Sequence, residues 1–477
     1  HDTPRGETGM EINAAAIADD LAQEAGAHES HHVPAGIVLR YGVGQLGAQI
    51  FRDTPAVLLP LFMTTMLGVQ AWIAGLVVLI PKLWLIACDP LVGAWSDRAK
   101  HRRGRTPFLV GGAIATSLAF VSLFTLTSSS SPLLSAAITC GLFFLGSTAF
   151  STFSVPYLAI AAALSHDPHQ RTRVMIYRMI FATLGVLVGV GVAQPLIFAM
   201  GGGAHGWTVM ALVLGAICMV TMLITAVGMA RVPLIRDDLV PGTLLSQLGA
   251  VRTNRPFLVL LATTFVQNIG QAASYTAIGF FYIYAVKAVW LVPVFILGMA
   301  IAGILVQPAW LGISRRLGKE RAYVLASVAW ILVTVSWYWA RPADDVLFTL
   351  PGIGAFGTQH LLIIARGIVI GLVNGPFVVL AMSMLTDTID HQRRRTGRAN
   401  EGVFAGLFSA AEKLAFALGP VVAGLVMSLF GFVSSTGGAA AQSPAAIHGI
   451  VLLYSLIPVA IQIVSLAIFS RYRLDRA

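Results

Sequence analysis

The chain of 477 residues is predicted to be an all-α membrane protein, with twelve transmembrane helices arranged as two six-helix halves. Three observations predict it. Apolar residues make up 57% of the chain, against roughly 45–50% in a soluble domain. Charged residues make up only 11%, too few to keep a soluble fold of this length wet. Basic residues recur in clusters after every second apolar run, the pattern by which a membrane protein marks its cytoplasmic side. A net charge of +10 distributed in this way does not point to nucleic acid.

A helix needs about 20 apolar residues to cross a bilayer. The first run, 36–66, carries Gln49, Arg52 and Asp53 on one face, and the second, 70–97, carries Lys82, Leu85 and Asp89 on one face. A basic loop follows at 98–105. The third and fourth runs are 107–127 and 133–164, the latter interrupted by Pro156-Tyr157. Arg171 and Arg173 precede the fifth run, 174–200, with Arg178 inside it. The sixth is 206–230, and 231–255 is the longest connection, a cytoplasmic linker between a first bundle, 34–230, and a second, 256–470. The seventh run, 256–286, has a polar stripe at Thr264, Asn268, Gln271 and Tyr275 at helical spacing, suited to hydroxyl-bearing ligands or to helix-to-helix hydrogen bonds. The eighth, 290–313, runs into the basic cluster 315–321. The ninth, 321–340, and tenth, 357–387, follow, the tenth holding Arg366 and Pro376-Phe377. Arg393, Arg394, Arg395 and Arg398 lead into the eleventh, 398–430, with Glu412 and Lys413. The twelfth, 446–470, ends at the basic tail 471–477. Connections on the opposite side hold only Lys287 and Arg341, so both termini are expected in the cytoplasm.

Residues 1–33 are polar and acidic and lack a signal-peptide core, and within them the residues before Met10 are expected to be vector-derived. Cys88, Cys140 and Cys218 lie in apolar runs without metal-ligand spacing and read as free thiols.

Arg52, Asp53, Lys82, Asp89, Arg178, Arg366, Glu412 and Lys413 fall within the spans. Facing lipid, they would together cost on the order of 24 kcal/mol, so they must line a watery cavity or pair with one another. The adjacent Glu412 and Lys413 point about 100° apart and cannot both look straight into one cavity. The cations outnumber the acids, which favours an anion-bearing substrate. Pro156-Tyr157 and Pro376-Phe377 occupy corresponding places in the two halves, the interruption expected of a two-repeat transporter with a site between its halves.

The segment from Lys82 to Arg98, containing Asp89-Pro90-Leu91-Val92-Gly93, with Arg103-Gly104-Arg105 and Pro107 after it, resembles the helix 2 signature of the glycoside-pentoside-hexuronide cation symporters of the major facilitator superfamily. Val155-Pro156-Tyr157, Tyr177-Arg178, Arg255-Pro256-Phe257, Asp387, Asp390, Arg398, Glu401-Gly402 and Lys413 extend the resemblance past residue 36 to nearly the whole chain. The resemblance implies the facilitator fold, Asp89 as a cation-site carboxylate, Arg178 as a cavity residue and Lys413 as the lysine near the cation site. Leu85 stands in place of the other helix 2 acid of the melibiose permease pattern. Gln49 and Ser154 stand in place of its two sugar-binding carboxylates, and Leu158 in place of its stacking Trp. The family also contains animal lysophosphatidylcholine symporters, so an amphipathic substrate remains open.

The function expected is cation symport of a glycoside, uronide or other anionic or amphipathic small molecule, with a proton as the coupling ion; a lysolipid transporter or a non-coupled facilitator is the alternative. Substrate contacts are expected from Gln49, Arg52, Asp53, Ser154, Arg178, Asn268, Gln271, Tyr275 and Lys413. Coupling is expected from Asp53, Asp89 and Lys413. Asp97, Arg98, Arg105, Asp387 and Arg398 at cytoplasmic helix ends are read as gate latches. No nucleophile elbow or phosphate loop appears, so no enzyme, cofactor or metal centre is expected. The protein is expected to act as a monomer in a plasma or inner membrane.

Overall fold

The computed structural model describes residues 33–164, 168–230, 232, 254–351, 354–396 and 401–473. The N-terminal segment to residue 32, nearly all of the linker, Arg398 and the last four residues lie outside them. The helices are α1 (Ala35–Met66), α2 (Ala71–Arg103), α3 (Thr106–Thr125), α4 (Pro132–Ala163), α5 (Pro168–Val186, a π turn Leu187–Val192, then Ala193–Ala199) and α6 (Ala204–Gly228). After the linker come α7 (Arg255–Phe280, with a π turn Phe281–Ala285), α8 (Leu291–Leu305 and Gln307–Leu317) and α9 (Lys319–Ser336). A short hairpin, β1 (Phe348–Leu350) and β2 (Gly354–Phe356), precedes α10 (Thr358–Thr396), α11 (Glu401–Leu429) and α12 (Pro444–Tyr454 and Leu456–Phe469).

Among the described residues, ten helices are long and apolar enough to cross a membrane, and the bent α8 makes eleven. The remaining helix, α1, has 32 residues, about 48 Å at 1.5 Å per residue. It falls short in hydropathy because Gln45, Gln49, Arg52 and Asp53 lie along it.

Caps and breakers set the ends. Ser131 Oγ accepts the Leu134 N–H at 3.2 Å with Pro132 in the first turn of α4. Asn254 caps α7 through Phe257 N–H at 3.0 Å, and its amide donates to the Thr388 carbonyl of α10 at 2.8 Å. Inside the spans, prolines remove backbone donors. Pro308 sits at the start of the second segment of α8, which is bent by 47°. Pro458 follows the break of α12 at Ser455. Several ends differ from the sequence expectation: α2 runs to Arg103 and α10 to Thr396, so both project beyond the membrane on the side of the basic clusters, called here the basic side.

The first half is knitted by α1 against α5 and α6, α3 against α4 and α6, and α2 against α4; the second by α7 against α11 and α12 and α10 against α8 and α9. Between the halves, α2 packs most extensively against α11, with further contact of α1 on α7 and of α8 on the α5 π turn. Glycines permit the α2–α11 approach, since a Cβ on Gly75 would come within 2.5 Å of the Pro420 carbonyl and one on Gly424 would overlap the Ala71 carbonyl. These contacts lie toward the far side, opposite the basic clusters. There the α1–α2 and α11–α12 connections join by backbone hydrogen bonds, Gly68 N–H to Ser435 O at 2.9 Å, Ser435 N–H to Thr64 O at 2.8 Å and Gly438 N–H to Thr65 O at 2.9 Å. The apolar core matches. One cluster runs through the first half and across into far-side residues such as Ala273, Phe280 and Met427, whereas Phe257, Trp310, Tyr323, Phe377 and Phe404 form a separate core on the basic side of the second half. Among the described residues, the backbone-to-backbone contacts that seal the two halves lie on the far side.

Candidate functional site

The central polar residues begin as a ladder along α1. Gln45, Gln49 and Asp53 follow one another at four-residue spacing, so they stack on one face. Gln45 Nε2 donates to Gln49 Oε1 at 3.0 Å, and Gln49 Nε2 donates to Asp53 Oδ2 at 2.6 Å. Guanidiniums stand at both ends: Arg52 Nε donates to Asp53 Oδ1 at 3.0 Å, and Arg178 Nε of α5 donates to Gln45 Oε1 at 2.9 Å. Arg178 also lies 5.9 Å from the centre of the Tyr157 ring, which stacks on Tyr41 at 4.4 Å. The two tyrosines exchange hydroxyl-to-carbonyl hydrogen bonds, making one rigid aromatic platform under the guanidinium. Arg52 is 59% exposed while Ile50 and Phe51 beside it are buried. Because α1 is enclosed by its neighbours, that exposure is to the space between the halves.

The other helices bring charge to the same space. Lys82 of α2 lies within electrostatic reach of Asp53 and Arg52, and Tyr275 of α7 and Glu412 of α11 within reach of Arg52. On α2, Asp89 accepts Ser151 Oγ–H of α4 at 2.6 Å through one carboxylate oxygen and Lys413 Nζ–H of α11 at 2.8 Å through the other. This ion pair joins the two halves. Asp89 is 22% exposed and Lys413 52%, so water reaches both. Trp84 Nε1–H, bonded to Thr148 Oγ1 at 3.0 Å, fixes α2 against α4 beside the carboxylate.

Several expectations are placed differently. Glu412 and Lys413 do diverge, but toward α1 and α2 respectively, so both face the first half. Arg366 lies away from the site: it stacks on Trp337 at 5.5 Å and its Nε donates to Ser336 Oγ at 3.2 Å, locking the far end of α9 to α10. Thr264 bonds back to the Leu260 carbonyl at 2.9 Å and presents no hydroxyl proton to a ligand. Gln271 donates to Asn374 of α10 at 3.3 Å, and Asn268, Tyr275 and Ser154 are half-buried. Of the gate residues, Asp387 pairs with Lys319 at 2.6 Å, a link within the second half and not across the halves. Arg98, five residues before the end of α2, is exposed, and Arg105, just before α3, is half-buried. The Asp97 side chain and Arg398 lie outside the described residues. Gln45, Tyr41, Tyr157 and Glu412 were missed as site residues. The i, i+4, i+8 series Gln45, Gln49, Asp53 was the readable signal for the first, whereas the aromatic pair, 116 residues apart in the chain, gave none.

Two helical bundles that meet around charged residues of α1, α2, α5 and α11 and the polar stripe of α7 have the build of a multi-pass membrane transporter. The chain belongs to the MFS/sugar transport protein family, whose model matches residues 40–476. An uncharacterized symporter of Bacillus subtilis strain 168, YnaJ, is 28% identical, over 91% of this chain and 91% of its own. The isoprimeverose transporter of Lactiplantibacillus pentosus is 24% identical, over 93% of this chain and 89% of its own. Among solved structures, a mutant form of the nucleoside transporter NupG superposes with a TM-score of 0.63 at 13% identity, covering 91% of this chain and 100% of that one, a likeness of fold alone.

Proposed function

We propose that this transporter is a proton-coupled symporter for an anionic sugar derivative, a uronide or acidic glycoside, working as a monomer with its basic side in the cytoplasm. The observation that carries the reading is the Asp89–Lys413 pair joining α2 to α11 across the halves. A carboxylate that is both an ion-pair partner and accessible to water exchanges one interaction for the other on protonation. When Asp89 is charged it holds Lys413 and the halves together at mid-membrane; when protonated it lets Lys413 go. Asp53, tied to Gln49 and Arg52, is the second carboxylate able to report substrate to the same site.

The substrate sits between Arg178 and Arg52. A guanidinium offers five N–H donors in a planar fork, and each of these spends only part of its set on α1, leaving donors for a carboxylate and for sugar hydroxyls. The Tyr41–Tyr157 stack beneath Arg178 and the amides of Asn268 and Gln271 complete a site suited to a ring with one anionic arm. With the basic side in the cytoplasm, far-side closure corresponds to the inward-facing half of the cycle.

Uptake into proteoliposomes tests this. A pH gradient without sodium should drive accumulation, and Asp89→Asn should still bind substrate while losing concentrative uptake. Accumulation that follows a sodium gradient at equal pH, and ignores a pH gradient, would overturn proton coupling.

A further inference from the structure

We propose that the basic side of the second half carries a binding site for an anionic phospholipid, in the wedge where α8 departs from α10. The wedge follows from the sequence. Pro308 bends α8 by 47°, and Trp310 Nε1–H, bonded to the Leu372 carbonyl at 2.8 Å, ties the root of the second segment to α10. Beyond that tie the two helices diverge and leave a cleft of about 450 Å³, within the range of roughly 300–1,000 Å³ that holds small ligands. Its walls are mostly apolar, with Trp310, Leu311, Pro376, Val379 and Leu380 interrupted by Gln307, Ser314 and Ser383. Lys319 and Asp387 at its mouth neutralise one another at 2.6 Å.

Next to the cleft is a recess of about 500 Å³ lined by Arg315, Arg316 and Arg321 with Glu320 as its one acid. Among the described residues, none of these three arginines forms an ion pair. Arg315, Gly318 and Glu320 line both spaces, so the apolar cleft and the cationic recess adjoin. A phosphate diester fits the recess through forked guanidinium hydrogen bonds, and an acyl chain fits the cleft. A soluble anion would use the recess and gain nothing from the cleft. The position favours lipid too, since a short amphipathic segment ending in paired arginines at the end of a span lies where headgroups lie.

The test uses the purified full-length protein in detergent, titrated with phosphatidylglycerol, phosphatidylcholine or inorganic phosphate and followed by native mass spectrometry and thermal shift. Phosphatidylglycerol should be retained and should raise Tm more than the zwitterionic lipid. Exchanging the exposed pair, Arg315→Gln with Arg316→Gln, should weaken its binding roughly tenfold or more. Val379→Trp should fill the cleft and displace the lipid with the arginines intact. Removing equal charge in the other half, Arg102→Gln with Arg103→Gln, should leave binding unchanged. Equal loss from that control pair would reduce the site to diffuse attraction and overturn the proposal. Equal response to the two lipids, or a full response to inorganic phosphate alone, would overturn it as well. None of these outcomes depends on substrate or coupling ion, so the lipid site stands or falls apart from the transport reading.

Discussion

Arg178 occupies the middle of an apolar helix with one N–H on Gln45 and its face toward Tyr157. Its partners are neutral, so no acid consumes its charge, and an anion in the cavity meets a cation already oriented. Hydrogen bonds to charged groups contribute about 1.5–3 kcal/mol, so Arg178→Ala should weaken substrate binding by roughly 10- to 100-fold. The purified variant should stay monodisperse, because the partners it leaves are neutral, Gln45, Met175 and the Tyr157 ring, and no charge is stranded. Arg178→Lys should recover part of the affinity at most, since an ammonium keeps the charge and loses the fork and the planar contact with the ring. Thermal stabilisation by candidate uronides is the measurement. Normal binding by a variant that aggregates would make Arg178 a structural residue. At this scale the sequence was informative where polarity repeats along one helix, as with Gln49, Arg52 and Asp53. It was silent where two helices meet. Asp89 and Lys413 are 324 residues apart, and no local spacing encodes their pairing.

The elements were legible as apolar runs, because insertion into a bilayer demands length and hydropathy that a sequence displays openly. Their irregularities were not. The α8 bend, the α12 break and the two π turns depend on which neighbour supplies or excludes a backbone partner. The α5 π turn has a consequence for the far-side seal. Thr54 of α1 donates to the Gly189 carbonyl within it at 2.8 Å. Just beyond, Gln194 is 1% exposed, with neither amide atom hydrogen-bonded, and is pressed against Gly279 of α7 in the other half. An unsatisfied buried amide costs roughly 1–3 kcal/mol, and opening the far side would return it to water. Gln194 therefore favours opening. Gln194→Met keeps the volume and removes the penalty, so Tm should rise by a few degrees and the maximal uptake rate should fall as the sealed state is favoured. Higher Tm with unchanged or faster uptake would mean that this contact does not move in the cycle.

For the whole molecule, alternating access requires that the far-side seal be breakable and that its breaking be obligatory. The seal combines a glycine-lined helix contact, in which Gly75 and Gly424 let α2 and α11 touch backbone to backbone, with a small antiparallel bridge between two loops. Hydrogen bonds of that bridge exchange readily with water once the loops part, so each contributes about 1 kcal/mol net, a strength suited to a reversible latch. The bridge pairs Leu67 with Thr436. Partners in an antiparallel pair have Cα atoms about 4.5–5.5 Å apart, inside the range that a disulfide spans. Leu67→Cys combined with Thr436→Cys should therefore oxidise to a cross-link that holds the far side shut. The native thiols do not compete, since Cys88 and Cys218 are buried and all three lie within helices. Oxidation should abolish uptake, and a reductant should restore it. Substrate added from the basic side should still bind the oxidised protein with its affinity little changed, because the central residues are already assembled in the sealed form. Uptake that survives complete cross-linking would show that substrate passes without parting these loops, and the two halves would then have to move about some contact other than this latch.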